Sequence, residues 1–133
     1  MTEVTLANPA SLPDPSANGY STTAIIPAGA RLAFISGQGG FDGAGSLPDD
    51  FAGQVSLAYT NLLAAIEGIG GSPANVAKIT TFVVDHHPSR LEALTRGVTA
   101  AFGDRLPAQT LVGIQALAVP GMLFEVEAMV ALP

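Results

Sequence analysis

The sequence predicts an α+β fold in which a mixed β-sheet carries two helices packed on one face. Three observations lead there. Two stretches, near 49–69 and 88–102, repeat apolar residues at helical spacing. Five shorter stretches are β-branched or alternate in polarity. The elements follow in the order β-β-α-β-α-β-β, so strands outnumber helices and both helices can share one sheet face.

Residues 7–19 contain Pro9, Pro13 and Pro15, so they read as an extended leading segment and not as a helix. Tyr20–Ile26 is the first predicted strand, ended by the turn residues Pro27-Ala28-Gly29. Arg31–Ser36 is the second, with Leu32, Phe34 and Ser36 on one face and Ala33 and Ile35 on the other. Residues 37–48 are rich in glycine and form a loop, but they match neither the phosphate-loop nor the dinucleotide-binding pattern. They read as a plain strand-to-helix connection or, alternatively, as small residues that leave backbone N–H groups bare beside a ligand.

Phe51, Val55, Tyr59, Leu62, Ile66 and Ile69 form one helical stripe. Asp49 or Asp50 caps that helix, and Gly70-Gly71 ends it. Asn61 is a poor helix former in its middle, explained by a local hydrogen bond. Lys78–Asp85 is β-branched and aromatic, a central strand. Pro88 starts the second helix, whose apolar face is Leu91, Leu94, Val98 and Phe102, and Gly103 stops it. Gln109–Leu117 and Leu123–Leu132 complete the sheet as a pair joined through Pro120-Gly121. No linker or internal repeat divides the chain, so residues 1–133 read as a single domain.

Composition narrows the function. Only 12% of the residues are charged, too few to cover the surface of a 133-residue monomer. With no element left to cover the second sheet face, copies of the chain are expected to do so. A net charge of −6, with 5 Lys plus Arg and no basic run, opposes nucleic-acid binding. The absence of cysteine removes disulfides, thiolate metal sites and a Cys nucleophile. The beginning of the sequence has no basic, apolar leader, and its most apolar stretch, Leu123–Leu132, is too short to span a bilayer. A cytoplasmic protein without a membrane partner is the expectation.

Chemistry-bearing residues are sparse. His86 and His87 are adjacent at a strand end, where neighbouring side chains diverge, so they form no chelate and no metal is expected. No serine lies in a nucleophile elbow. Glu125 and Glu127 share one face of the last strand, opposite Phe124, Val126 and Ala128. Two readings stand for this pair: solvated or salt-bridged to Lys78, Arg31 or Arg105, or Glu125 facing a partly buried cleft between subunits, ready for acid–base work.

Several segments together resemble the Rid family, the YjgF-type reactive intermediate deaminases formerly labelled L-PSP endoribonucleases. They are Asn8-Pro9, Tyr20-Ser21, Phe34-Ile35-Ser36-Gly37-Gln38, Asp42 with Gly45, Phe51 with Gln54, and Asn61-Leu62. Lys78 to Asp85, Pro107-Ala108 and Glu125-Val126-Glu127-Ala128 extend the match over nearly the whole chain. The resemblance implies a chorismate-mutase-like fold, a homotrimer with small-molecule clefts between subunits, no cofactor, and hydrolysis of 2-aminoacrylate-type enamines and imines to 2-keto acids and ammonia. It also implies cleft residues: Tyr20, Gly37, Gln38, Gln109 and Leu111 on the substrate, with Glu125 as the catalytic group positioning water.

One position departs from the pattern. Deaminating members hold the substrate carboxylate with an arginine after Pro-Ala or Pro-Thr, whereas this chain reads Pro107-Ala108-Gln109-Thr110. An uncharged amide cannot supply charge-assisted hydrogen bonds, which are roughly twice as strong as neutral ones. Arg105 belongs to the preceding loop and does not take over the role. The expectation is a divergent Rid-like protein whose cleft persists while 2-aminoacrylate deamination is doubtful. The alternatives are a non-catalytic ligand- or partner-binding protein and, last, a ribonuclease.

Overall fold

A computed structural model describes residues 3–133. Strands β1 (Thr5–Ala7) and β2 (Thr23–Ile25) form an antiparallel ribbon. Four further strands make the main sheet: β3 (Arg31–Gln38), β4 (Val76–Val84), β5 (Ala108–Ile114) and β6 (Phe124–Leu132). Helices α1 (Phe51–Gly68) and α2 (Leu91–Phe102) lie in the order expected. The sheet order is β3-β6-β4-β5. β4 and β5 are parallel, and β6 runs antiparallel to both β3 and β4, so the sheet is mixed.

This order corrects the expected pairing of the last two strands. β6 inserts between β3 and β4, and β5 takes the edge beside β4. The physical reason is the strand–helix–strand unit β4-α2-β5, whose connection returns the chain parallel to its start. Two smaller corrections concern the beginning. The leading segment contains β1 and a 3₁₀ turn at Ser16–Asn18, and the strand expected at Tyr20–Ile26 is confined to Thr23–Ile25. At the second helix, Pro88–Arg90 is a separate 3₁₀ turn before α2.

The core lies between the sheet and the helices. Val55, Tyr59, Leu62 and Ile66 of α1 and Leu94, Val98 and Phe102 of α2 meet Ile79, Val83, Phe124, Val126 and Val130. Burial pushes the Tyr59 hydroxyl well above the usual tyrosine range. Ile69, expected in the α1 stripe, is 42% exposed because it is the residue that ends the helix. Asp50 caps α1 by accepting from Gly53 N at 2.8 Å. A second small cluster, Val4, Ala77 and Ala131, ties the ribbon to the start of β4 and the end of β6.

Among the described residues, no helix lies over the other face of the main sheet. Phe34 is 73% exposed and Leu32 52% exposed on β3, while Ala33 and Ile35 turn toward the core. A groove of about 440 Å³ runs over this face past Phe34, Lys78, Thr80, Glu127 and Met129. Among the described residues no helix is long and apolar enough to cross a membrane.

Candidate functional site

The sequence-derived site residues fall into two groups. The first is built on edge strand β5. Gln109 stands opposite Ile79, which is fully buried on the helix side, so the Gln109 side chain shares that side. Leu111, two residues on, packs against the same core. Tyr20 arrives beside them because Ser21 bridges Ala108 and donates its N–H to Pro107 O at 3.1 Å. Gly19 makes that approach possible. Its φ is +86°, and a Cβ there would stand 2.6 Å from Val98 on α2.

Together Tyr20, Gln109 and Leu111 line a hollow of about 460 Å³, completed by Asn18 and by Leu91 and Thr95 of α2. Gln109 Oε1 is buried and accepts no hydrogen bond. Asn18 and Thr95 escaped the sequence reading. Thr95 lies four residues after Leu91 on the flank of the apolar face, a spacing that marks it as a neighbour once the hollow is known.

The second group lies on the opposite face. Glu125 falls between Phe124 and Val126, both fully buried against the helices, so its side chain projects to the uncovered side. The register of β3 on β6 slips between Ile35 and Gln38, inserting one extra residue at Ser36-Gly37. That bulge brings Gly37 over Glu125: a Cβ on Gly37 would collide with the carboxylate. Gln38 stands opposite Val126 and donates its side-chain amide to Ser36 O at 3.1 Å. Among the described residues the ion pairs are Arg96–Glu92 and Arg105–Glu3, and neither engages Glu125 or Glu127. Arg105 donates to Val4 O at 2.6 Å, at the ribbon and away from the hollow.

Two α1 side chains hold the segments that frame this second group. Asn61 donates to Gly39 O and Phe41 O, each at 2.9 Å, fixing the loop that leaves the bulge. The expected local helix bond of Asn61 is thus replaced by a tertiary one. Gln54, 1% exposed, donates to Pro48 O at 2.9 Å and Gly121 O at 3.0 Å and accepts from Leu123 N at 2.8 Å. It joins the loop after β3 to the residue that leads into β6. His87 takes a capping role, accepting from Ser89 N at 3.1 Å.

The family model described as Endoribonuclease L-PSP matches residues 11–132. The chain belongs to this family, the Rid or YjgF-type proteins. Among solved Rid-type structures, the Rid protein YyfB from Yersinia pestis, described as of unknown function, is 30% identical over 99% of this chain and 100% of its own, with a TM-score of 0.92. RidA from an Antarctic Psychrobacter is 28% identical over 99% of both chains, with a TM-score of 0.71. Rv2704 from Mycobacterium tuberculosis, described as a member of the YjgF/YER057c/UK114 family, is 28% identical over 97% of this chain and 99% of its own, with a TM-score of 0.67. A comparison with curated proteins returned no match. These likenesses agree with the Rid-type α+β fold of two helices on a mixed sheet.

Proposed function

We propose that this Rid protein acts in the cytoplasm as a homotrimer. In it, the Tyr20–Gln109–Leu111 group of one subunit and the Gly37–Gln38–Glu125 group of the next close one small-molecule cleft. The observation that carries the reading is the separation of these groups. One chain holds them on opposite faces of the sheet, so only a second copy can bring them together. The uncovered face with exposed Phe34 and Leu32 supplies apolar area for that contact.

In such a cleft the chemistry is hydrolysis of an enamine, imine or related small carbonyl compound. An enamine first tautomerises to the imine. Glu125 takes a proton from water as the oxygen adds to the imine carbon, and the nitrogen takes a proton from solvent, giving a carbinolamine. Glu125 then returns its proton to the amine nitrogen, the hydroxyl loses its proton to solvent, and the C–N bond breaks, releasing ammonia and leaving the carbonyl. Gly37 leaves room for the carboxylate, because any side chain there would displace it. Gln109 replaces the arginine that would anchor a carboxylate, so 2-aminoacrylate is a poor substrate.

A ribonuclease reading has little support. The net charge is −6, and the basic side chains are dispersed in separate contacts with no basic patch.

The test generates 2-aminoacrylate with a dehydratase and follows keto acid formation. Wild type is expected to give at most a small acceleration. Gln109→Arg is expected to raise the rate by at least about tenfold through the restored charge-assisted anchor. Gln109→Arg that binds a keto acid without accelerating the reaction would favour a non-catalytic binding protein instead.

A further inference from the structure

The hollow beside α2 has a polar lining without charge. Its polar side chains are Asn18, Tyr20, Thr95 and Gln109, while Thr110 borders it with its hydroxyl turned to the other sheet face. The chain has 5 Lys plus Arg, and each has another position. Arg31 Nε donates to Pro133 O at 3.4 Å, and the Arg90 guanidinium lies 4.3 Å above the centre of the Phe51 ring. Arg96 pairs with Glu92 at 2.5 Å, and Arg105 donates to Val4 O. Lys78 Nζ reaches Thr110 Oγ1 at 2.7 Å, but Lys78 projects with Thr80 and Glu127 onto the uncovered face, where it lines the groove past Phe34.

Within this uncharged lining, Gln109 Oε1 is buried and accepts nothing. A buried acceptor left unpaired is costly, so the group that completes it must bring an N–H or O–H donor. A carboxylate brings only acceptors and would set negative oxygen against Oε1. A carboxamide or ureido group brings an N–H beside a carbonyl, which matches the donor and acceptor at the end of glutamine in a paired, two-bond contact.

We propose that Gln109 makes this half of the cleft selective for a neutral ligand bearing a carboxamide or ureido group, and against the corresponding carboxylate. The inference rests on the inter-subunit cleft proposed above, and it names the class of ligand that the cleft takes. The Glu125 half, contributed by the adjoining subunit, adds a second acceptor and no cation, so it strengthens the same preference.

Pyruvamide and pyruvate form a matched pair for the test, differing only in an amide in place of a carboxylate. Both are titrated calorimetrically into the full-length protein, Gln109→Met and Gln109→Arg. Wild type is expected to bind pyruvamide at least about tenfold more tightly than pyruvate. Gln109→Met, similar in size but without the amide, is expected to lose that preference, and Gln109→Arg to reverse it. Equal or tighter binding of pyruvate by wild type overturns the inference, as does a pyruvamide preference that survives in Gln109→Met. If wild type binds neither compound while Gln109→Arg takes pyruvate, the inference fails and the cleft stands. If none of the three proteins binds either compound, both fail.

Discussion

Gly37 and Glu125 show how much one missing side chain can decide. The bulge at Ser36-Gly37 directs the Gly37 α-carbon at the Glu125 carboxylate, and only a hydrogen fits between them. The obstruction is the far end of a flexible side chain, so Gly37→Ala is expected to fold with a stability change within about 1 kcal/mol while swinging the carboxylate aside. Thermal unfolding alongside an imine-hydrolysis assay checks this. A melting temperature close to wild type should accompany loss of the catalytic contribution proposed for Glu125. Unchanged hydrolysis would show that the placement of Glu125 does not matter. Gln109 is the counterpart in the other group, where a buried amide oxygen accepts no hydrogen bond.

At the scale of elements, α1 does more than cover the sheet. Its Asn61 and Gln54 side chains reach out of the helix to fix the loop after β3 and the residue before β6, the two segments that flank Glu125. Asn61→Ala leaves the carbonyls of Gly39 and Phe41 without their donor, and is expected to cost about 1–3 kcal/mol in denaturant unfolding with the slope unchanged. A stability equal to wild type would mean that water replaces Asn61 at no cost.

The elements also show what was legible in the sequence. The helical stripe of α1, the alternation of Phe124, Val126 and Ala128 against Glu125 and Glu127, and the capping role of Asp50 follow from local spacing and are found in the structure. Strand partners were less legible, because alternation states which face a residue takes and not which strand lies beside it. That is why β6 was expected next to β5, although the strand–helix–strand order of β4-α2-β5 carries a parallel pairing. β1 was hidden by its three-residue length and by the prolines that follow it. Asn18 and Thr95 were hidden because a hollow between a turn, a helix and a strand edge has no period in sequence.

For the whole molecule, the proposed function makes one chain only half of each site. Its sheet has a helix-covered face and an uncovered face, and the proposed substrate groups are divided between them. The low charge fraction and the exposure of Phe34 and Leu32 both fit the proposed contact between copies. In the proposed trimer, cyclic closure by three copies would give each cleft one group from each of two neighbours, so assembly and function would stand or fall together. Sedimentation equilibrium of the full chain at micromolar concentration is the most direct test. A single species at three times the 13.4 kDa chain mass is expected. A single species at 13.4 kDa would contradict the proposed trimer, because Glu125 and Gln109 would then never face the same ligand.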